Sequence, residues 1–166
     1  MSETLVPDRQ ASLAWSDALL LELDFMDDTH REFVDLLATV ETSDDEHIVD
    51  HFRAMVDHTA DHFGSEDRWM AATQFAASNC HSMQHDVVMQ VLREALKRGE
   101  GGDLVLLRDL SRELGIWFPQ HAQSMDAALA LHLRAIGFDP VTGVVHRPEA
   151  LPEGEIHGCG GSSCSS

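Results

Sequence analysis

Five histidines and two carboxylates fall on the apolar faces of four separate helix-period segments. That arrangement restricts the chain to folds in which four helices turn those faces inward together. The residues are His30, His62 with Glu66, His81 with His85, and His121 with Asp126. Residues four apart on a helix lie nearly above one another, so His62 and Glu66 share a direction, as do His81 and His85. Burying so many polar groups in an apolar core is costly unless something satisfies them. A pair of metal ions would do so, and the donor set then limits which metals and which chemistry are plausible.

The segments themselves read clearly. Met26, His30, Phe33, Val34, Leu37 and Val40 share one face of a helix expected from about 25 to 41. Ser43 followed by Glu46 has the form of a capping box that would open a second helix over 44–72. Its inward face holds Phe52, Met55, Thr59, His62, Glu66 and Met70. Ser78-Asn79 is a capping signal for a third helix to about 98, with His81, His85, Val88, Leu92 and Ala95 in one stripe. Gly99-Glu100-Gly101-Gly102 ends it, and Asp103 can cap a fourth helix to about 136. Leu107, Leu110, Leu114, Trp117, His121, Met125 and Ala128 repeat along that helix in threes and fours, and Gly137 and Pro140 stop it.

Four amphipathic helices with short connections predict an all-α, up-down-up-down four-helix bundle over 25–137. Residues 1–24 read as an N-terminal arm with Leu13, Trp15, Leu19, Leu21 and Leu23 as apolar anchors. Residues 138–166 read as a flexible tail that ends in a disordered, low-complexity Gly/Ser/Cys stretch.

Asp126 fits the pattern least well. It lies five residues after His121, about 140° around a regular helix, so it reaches the site only from the edge of the stripe or through a local distortion. Pro119 lies two residues before His121 and lacks the N–H that would bond Gly115. It reads either as a simple kink or as a kink that re-aims His121 and Asp126. A lone HxxxH is weak evidence, since His47 with His51 and His58 with His62 show the same spacing. His58 reads as a rim residue, and His47, His51, His132, His146 and His157 as non-ligands.

The formal charge of −18 argues against nucleic acid and anionic lipid as partners. The polar, acidic N-terminus does not resemble a secretory signal, and no apolar run approaches a membrane span. A cytoplasmic location is expected, and the acidic surface points to a monomer. Three cysteines do not make a disulfide framework. Cys80 reads as a small packed residue. Cys159 and Cys164 belong to a passive tail by default, with a redox switch, metal handling or a tether as the functional readings.

Certain stretches resemble the hemerythrin family, its single-domain bacterial branch most closely. They are Trp15, Met26-Asp27-Asp28-Thr29-His30, His62-Phe63-Gly64-Ser65-Glu66-Asp67-Arg68-Trp69-Met70, His81-Ser82-Met83-Gln84-His85, and Trp117-Phe118-Pro119-Gln120-His121 continuing to Asp126. The resemblance covers about 10–137. It implies a four-helix bundle around a non-haem di-iron centre with an oxo or hydroxo bridge. By resemblance, His81, His85 and His121 hold one iron, His30 and His62 hold the other, and Glu66 and Asp126 bridge them. The iron with two histidines then keeps one position for dioxygen.

Helical position makes Met55, Thr59, Leu114 and Trp117 candidate walls of the ligand pocket. The implied function is reversible dioxygen binding for storage, delivery or sensing, with no catalytic side chain; delivery would require an oxygen-recipient protein as partner. The alternatives are a di-iron enzyme (peroxidase, oxidase or nitric-oxide reductase) and an oxygen or iron signalling module. The paired ExxH motifs of carboxylate-rich oxygen-activating bundles are absent.

Overall fold

The computed structural model describes residues 9–75 and 80–154. Its helices are α1 (Asp24–Thr42), α2 (Ile48–Ala72), α3 (Cys80–Glu100), α4 (Leu104–His121) and α5 (Ala127–Ile136). A single π-helical turn, Ala122–Asp126, joins α4 to α5. These three pieces together form the fourth helix of an all-α, four-helix bundle. α1 packs on α2, α2 on α3, α3 on α4, and α4 back on α1, which closes the ring.

The helix ends follow the local chemistry, with one exception. The Asp103 carboxylate accepts the Leu106 N–H and caps α4 as expected. Gly137 takes the left-handed conformation at φ 61° and ends α5, while the Phe138 N–H reaches back to the Leu133 carbonyl. Gln74, at φ 60°, plays the same part after α2. The expected capping box at Ser43 and Glu46 does not form. The Ser43 hydroxyl donates to the Thr39 carbonyl and meets His51 Nδ1 instead, and α2 starts later, at Ile48. Asp44 serves the intervening turn by accepting the His47 N–H. The capping signal at Ser78-Asn79 lies outside the described residues.

The arm is pinned to the bundle at several points. Both Asp27 oxygens accept backbone N–H groups, from Leu21 and Leu23, and the Asp27 side chain is buried in doing so. Ser12 donates its N–H and hydroxyl to Glu41, and the Arg31 guanidinium lies over the Trp15 ring at 4.8 Å. Gly115 on α4 is the close approach that lets the arm cross, since a Cβ there would sit 2.1 Å from Ser12 Oγ. Residues 138–154, read from sequence as tail, form a turn closed by a Phe138–Val145 bridge, and Phe138, Val145 and Leu151 pack under the bundle. Cys80 is disulfide-bonded, which corrects its reading as a small packed residue. Cys159 and Cys164 lie outside the described residues.

The core is divided. One apolar cluster includes Phe33, Leu37, Phe52, Met55, Leu92, Leu107 and Phe118. The other includes Met26, Met70, Leu129, Leu133 and Ile136. Along α1, His30 falls between Met26 and Phe33. Along α2, Glu66 falls between Phe63 and Met70. His121 and Asp126 fall between Phe118 and Leu129. A single polar layer thus crosses the bundle between two apolar halves. Among the described residues, no helix is long and apolar enough to cross a membrane.

Candidate metal centre

All seven residues singled out by spacing meet in that polar layer. His30, His62, Glu66, His81, His85, His121 and Asp126 are each at most 5% exposed. They fall into two overlapping groups whose candidate donor atoms lie within 4.8 Å of one another: Glu66, His81, His85, His121 and Asp126, and His30, His62, Glu66 and Asp126. Glu66 and Asp126 belong to both. The first group has three histidines and the second two.

The two carboxylates divide their oxygens between the groups. Glu66 Oε1 faces His62 Nε2 at 3.0 Å and His30 Nε2 at 3.8 Å. Its Oε2 faces His81 Nε2 and His85 Nε2, both at 3.4 Å. Asp126 Oδ1 lies 3.0 Å from His81 Nε2 and 3.1 Å from His121 Nε2, while its Oδ2 lies 3.2 Å from His30 Nε2. All five imidazoles present Nε2. Ligand atoms about 2.1 Å from one ion and at right angles to each other lie about 3 Å apart, and these spacings are of that kind.

Unsatisfied polar atoms point the same way. His30 Nε2, Glu66 Oε2 and Asp126 Oδ2 are buried without a hydrogen-bond partner among the described residues. Groups of this sort are rare in folded proteins and demand an explanation. Shared metal ions supply one, so the donor set fits a two-metal centre.

Electrostatics favour cations here. Burial alone would lower the His30 pKa, but the adjacent Asp126 and Glu66 carboxylates outweigh it and hold the value at about 10. The same balance holds His81 at about 9. His85 is raised as well, with burial opposed by the hydrogen bond to Asp67 and the nearby Glu66 carboxylate. Burial pushes Glu66 up, yet attraction to His62, its hydrogen bond at Oε1 and the nearby His30 and His81 imidazoles keep it well below the usual carboxylate range. Asp126 is likewise depressed, because the surrounding histidines outweigh both burial and the Glu66 charge. Two carboxylates at this depth draw in positive charge, whether protons or metal ions.

The local backbone explains how Asp126 reaches the layer. In the turn Ala122–Asp126 the Ala127 N–H bonds to the Ala122 carbonyl, five residues back. A π turn places residues five apart nearly above one another, as an α turn does residues four apart. The distortion follows Pro119 rather than centring on it: Pro119 itself sits inside α4, and α4 runs on to His121.

Supporting residues that spacing did not single out now have positions. Asp67 Oδ1 accepts from His85 Nδ1 at 2.9 Å, and Gln84 Oε1 meets His121 Nδ1 at 3.2 Å. Such partners fix the tautomer and orientation of a ligating imidazole. Phe63 stacks flat on His85 at 4.0 Å, and the buried Phe118 sets its ring perpendicular to His30 at 5.1 Å. A helical-wheel reading at three-residue spacing would have found both rings. Phe118 precedes His121 by three, and Phe63 precedes Glu66 by three.

Of the expected wall residues, Met55, Thr59 and Leu114 are buried, and Trp117 stacks on His121 at 4.5 Å. Leu114 and Trp117 also line a groove between α3 and α4. His58 is half-buried, paired with Glu32 at 3.0 Å, in the wall of a cavity of about 370 Å³ that reaches His62 and Glu66. His47, His51, His132 and His146 join neither metal group. His157 lies outside the described residues.

Comparison with known proteins agrees with this geometry. Residues 21–131 match the family model described as the hemerythrin HHE cation binding domain. A bacteriohemerythrin of Ralstonia nicotianae is 36% identical over 127 residues, covering 76% of this chain and 93% of the relative. Bacteriohemerythrins of Methylococcus capsulatus and Stenotrophomonas maltophilia are 25% and 24% identical, covering 70% and 75% of this chain and 92% and 84% of the relatives. No solved structure matches the chain. A match over most of the length, together with donors placed where a two-metal centre needs them, establishes that the chain belongs to the hemerythrin family, whose cofactor is a non-haem di-iron centre.

Proposed function

We propose that this chain binds dioxygen reversibly at a di-iron centre, for oxygen storage, delivery or sensing. His81, His85 and His121 would hold one iron, His30 and His62 the other, with Glu66 and Asp126 shared. The observation that carries the reading is the split of each carboxylate between a three-histidine group and a two-histidine group. The donor sets are unequal, and the position on the His30–His62 side, one donor short, is where a small ligand would bind. A reduced di-iron pair held by these residues would supply the electrons for reversible dioxygen binding.

The protein's part is to orient the donors and to set apolar side chains against the core side of the layer. Phe118, 1% exposed and packed against His30 and Phe33, closes the core beside the two-histidine group. The Thr59 hydroxyl, three residues before His62, donates to the Met55 carbonyl at 2.7 Å and so has no spare proton to offer. Met55 and Leu114 add apolar surface, and Trp117 holds the His121 ring by stacking. Walls of this kind favour binding and release over proton-driven chemistry, as in a family of oxygen binders rather than enzymes.

The test is to load the protein with iron, reduce it without air, admit oxygen and then remove it. Reversible binding predicts a charge-transfer absorption that appears and disappears over repeated cycles. Permanent oxidation within the first cycle would overturn the proposal.

A further inference from the structure

The charge of the chain is unevenly placed. α1 and α2 together carry eleven acidic residues against three basic ones, whereas α3 and α4 together carry five of each. One half of the bundle therefore bears a net charge of −8 and the other is formally neutral.

The cavity of about 370 Å³ beside His58 lies in the acidic half, between α1 and α2. It runs from the exposed Glu32 and Asp61 to the buried His62 and Glu66. Among the described residues, no lysine or arginine lines it. A cavity of about 230 Å³ between α2 and α3 reaches His85, but Arg93 lines that one and its Asp67 is already bonded to His85.

The α1–α2 cavity also holds unpaired donors. His58 Nδ1, His62 Nδ1 and Glu66 Oε2 are buried without a hydrogen-bond partner among the described residues. His58 lies one turn before His62, with the ring centres 6.3 Å apart, and its Nε2 meets Glu32 Oε2 at 3.0 Å. An Nε2–H donated to that carboxylate leaves the Nδ1 lone pair for a cation, as in a carboxylate–histidine–metal arrangement.

We propose that this cavity is the port through which ferrous iron reaches and leaves the metal layer, with Glu32 and Asp61 gathering the ion at the mouth and His58 passing it to His62 and Glu66. The proposal rests on the metal assignment given above. A cleft lined by one sign of charge concentrates counter-ions. Moving a hydrated divalent ion into a buried layer is costly unless protein donors replace its water in stages. Glu32 and Asp61, then His58, then His62 and Glu66 form such a series. Dioxygen is uncharged and gains nothing from an acidic mouth.

The test mixes the metal-free, full-length chain with ferrous salt without air and times uptake by trapping the free ion with a chromogenic chelator. Release is timed by adding excess chelator to the loaded chain. Glu32→Gln combined with Asp61→Asn should slow uptake at least about tenfold at low salt, and the difference should shrink in about 1 M salt. Asp86→Asn makes the same kind of charge change in the α2–α3 cavity and should leave uptake unchanged. His58→Leu should slow uptake and release by similar factors, because a group on the path that does not hold the bound ion affects both directions alike. All variants should still reach two irons per chain. Unchanged uptake in the double variant, with or without slower dioxygen binding, would overturn the proposal. So would equal slowing by Asp86→Asn, or faster release from His58→Leu, which would mean that His58 only steadies His62. Fewer than two irons at equilibrium in the unaltered chain would instead overturn the metal assignment, and the port with it.

Discussion

Glu66 and Asp126 each face two sets of histidines, so on the proposed assignment their loss should disturb both metal positions. Removing a carboxylate takes a donor from both metal positions at once. Glu66→Ala should therefore drop anaerobic iron loading below two per chain, as measured by metal analysis. A variant that kept two irons would contradict the sharing of Glu66. Asp67 offers a subtler probe, since it touches the ring of His85 and no metal. Asp67→Ala should weaken iron binding about 10- to 100-fold in competition with a chelator, while the fold stays intact. Histidine charge adds a prediction for the metal-free protein. His30 and His81 have folded pKa values of about 10 and 9, above the ordinary 6.5. Protonated forms are thus held by the fold, and the stability they contribute is fully present below about pH 6.5 and lost as pH rises through 9 to 10. Glu66 and Asp126 shift the other way, so their contribution is present above the ordinary carboxylate range and lost on acidification. Denaturant titrations of the chelator-treated protein across pH should show a maximum near neutrality with decline on both sides.

At the scale of elements, the π turn after α4 is what turns a five-residue spacing into a shared direction. Its geometry is that of a regular helix with one residue inserted. Deleting the exposed Ser124 should let the turn close into ordinary helix, leaving Asp126 four places after His121 and still facing the layer. That variant should keep two irons. Deleting the exposed Arg112 from α4 instead rotates everything beyond it by about 100° and should cost at least one iron. Equal iron content in the two deletions would contradict this account of the turn. The helices and their inward stripes were legible in sequence because burial repeats at helical period. The π turn was not, since spacing showed only that Asp126 reaches the site from the edge of the stripe or through a local distortion. The failed capping box at Ser43 shows a similar limit. Ser43 can bond the Thr39 carbonyl and meet His51 across the turn, and those contacts arise only once the helices are packed. The partners of His85 and His121 were hidden for a related reason. Asp67 and Gln84 sit on α2 and α3, each across a helix interface from the histidine it supports.

The molecule as a whole is two apolar cores joined by one polar layer. Phe118 belongs to the apolar cluster of Phe33, Leu37 and Phe52 and abuts the layer, so Phe118→Ala should cost about 3–5 kcal/mol in urea denaturation of the metal-free protein. The layer is where stability and cofactor binding are linked, because metal that binds only the folded state stabilises it. The net charge of −18 could be read directly from composition, but its division into an acidic half and a neutral half could not, because it depends on which helices are neighbours. The seven donors were legible as a set, yet the division of each carboxylate between two groups of histidines needed coordinates. That division is the central claim, and anaerobic titration of the metal-free protein with ferrous iron tests it most directly. The account predicts an endpoint at two irons per chain, falling in the Glu66→Ala variant. Saturation of the wild-type chain at a single iron would contradict it.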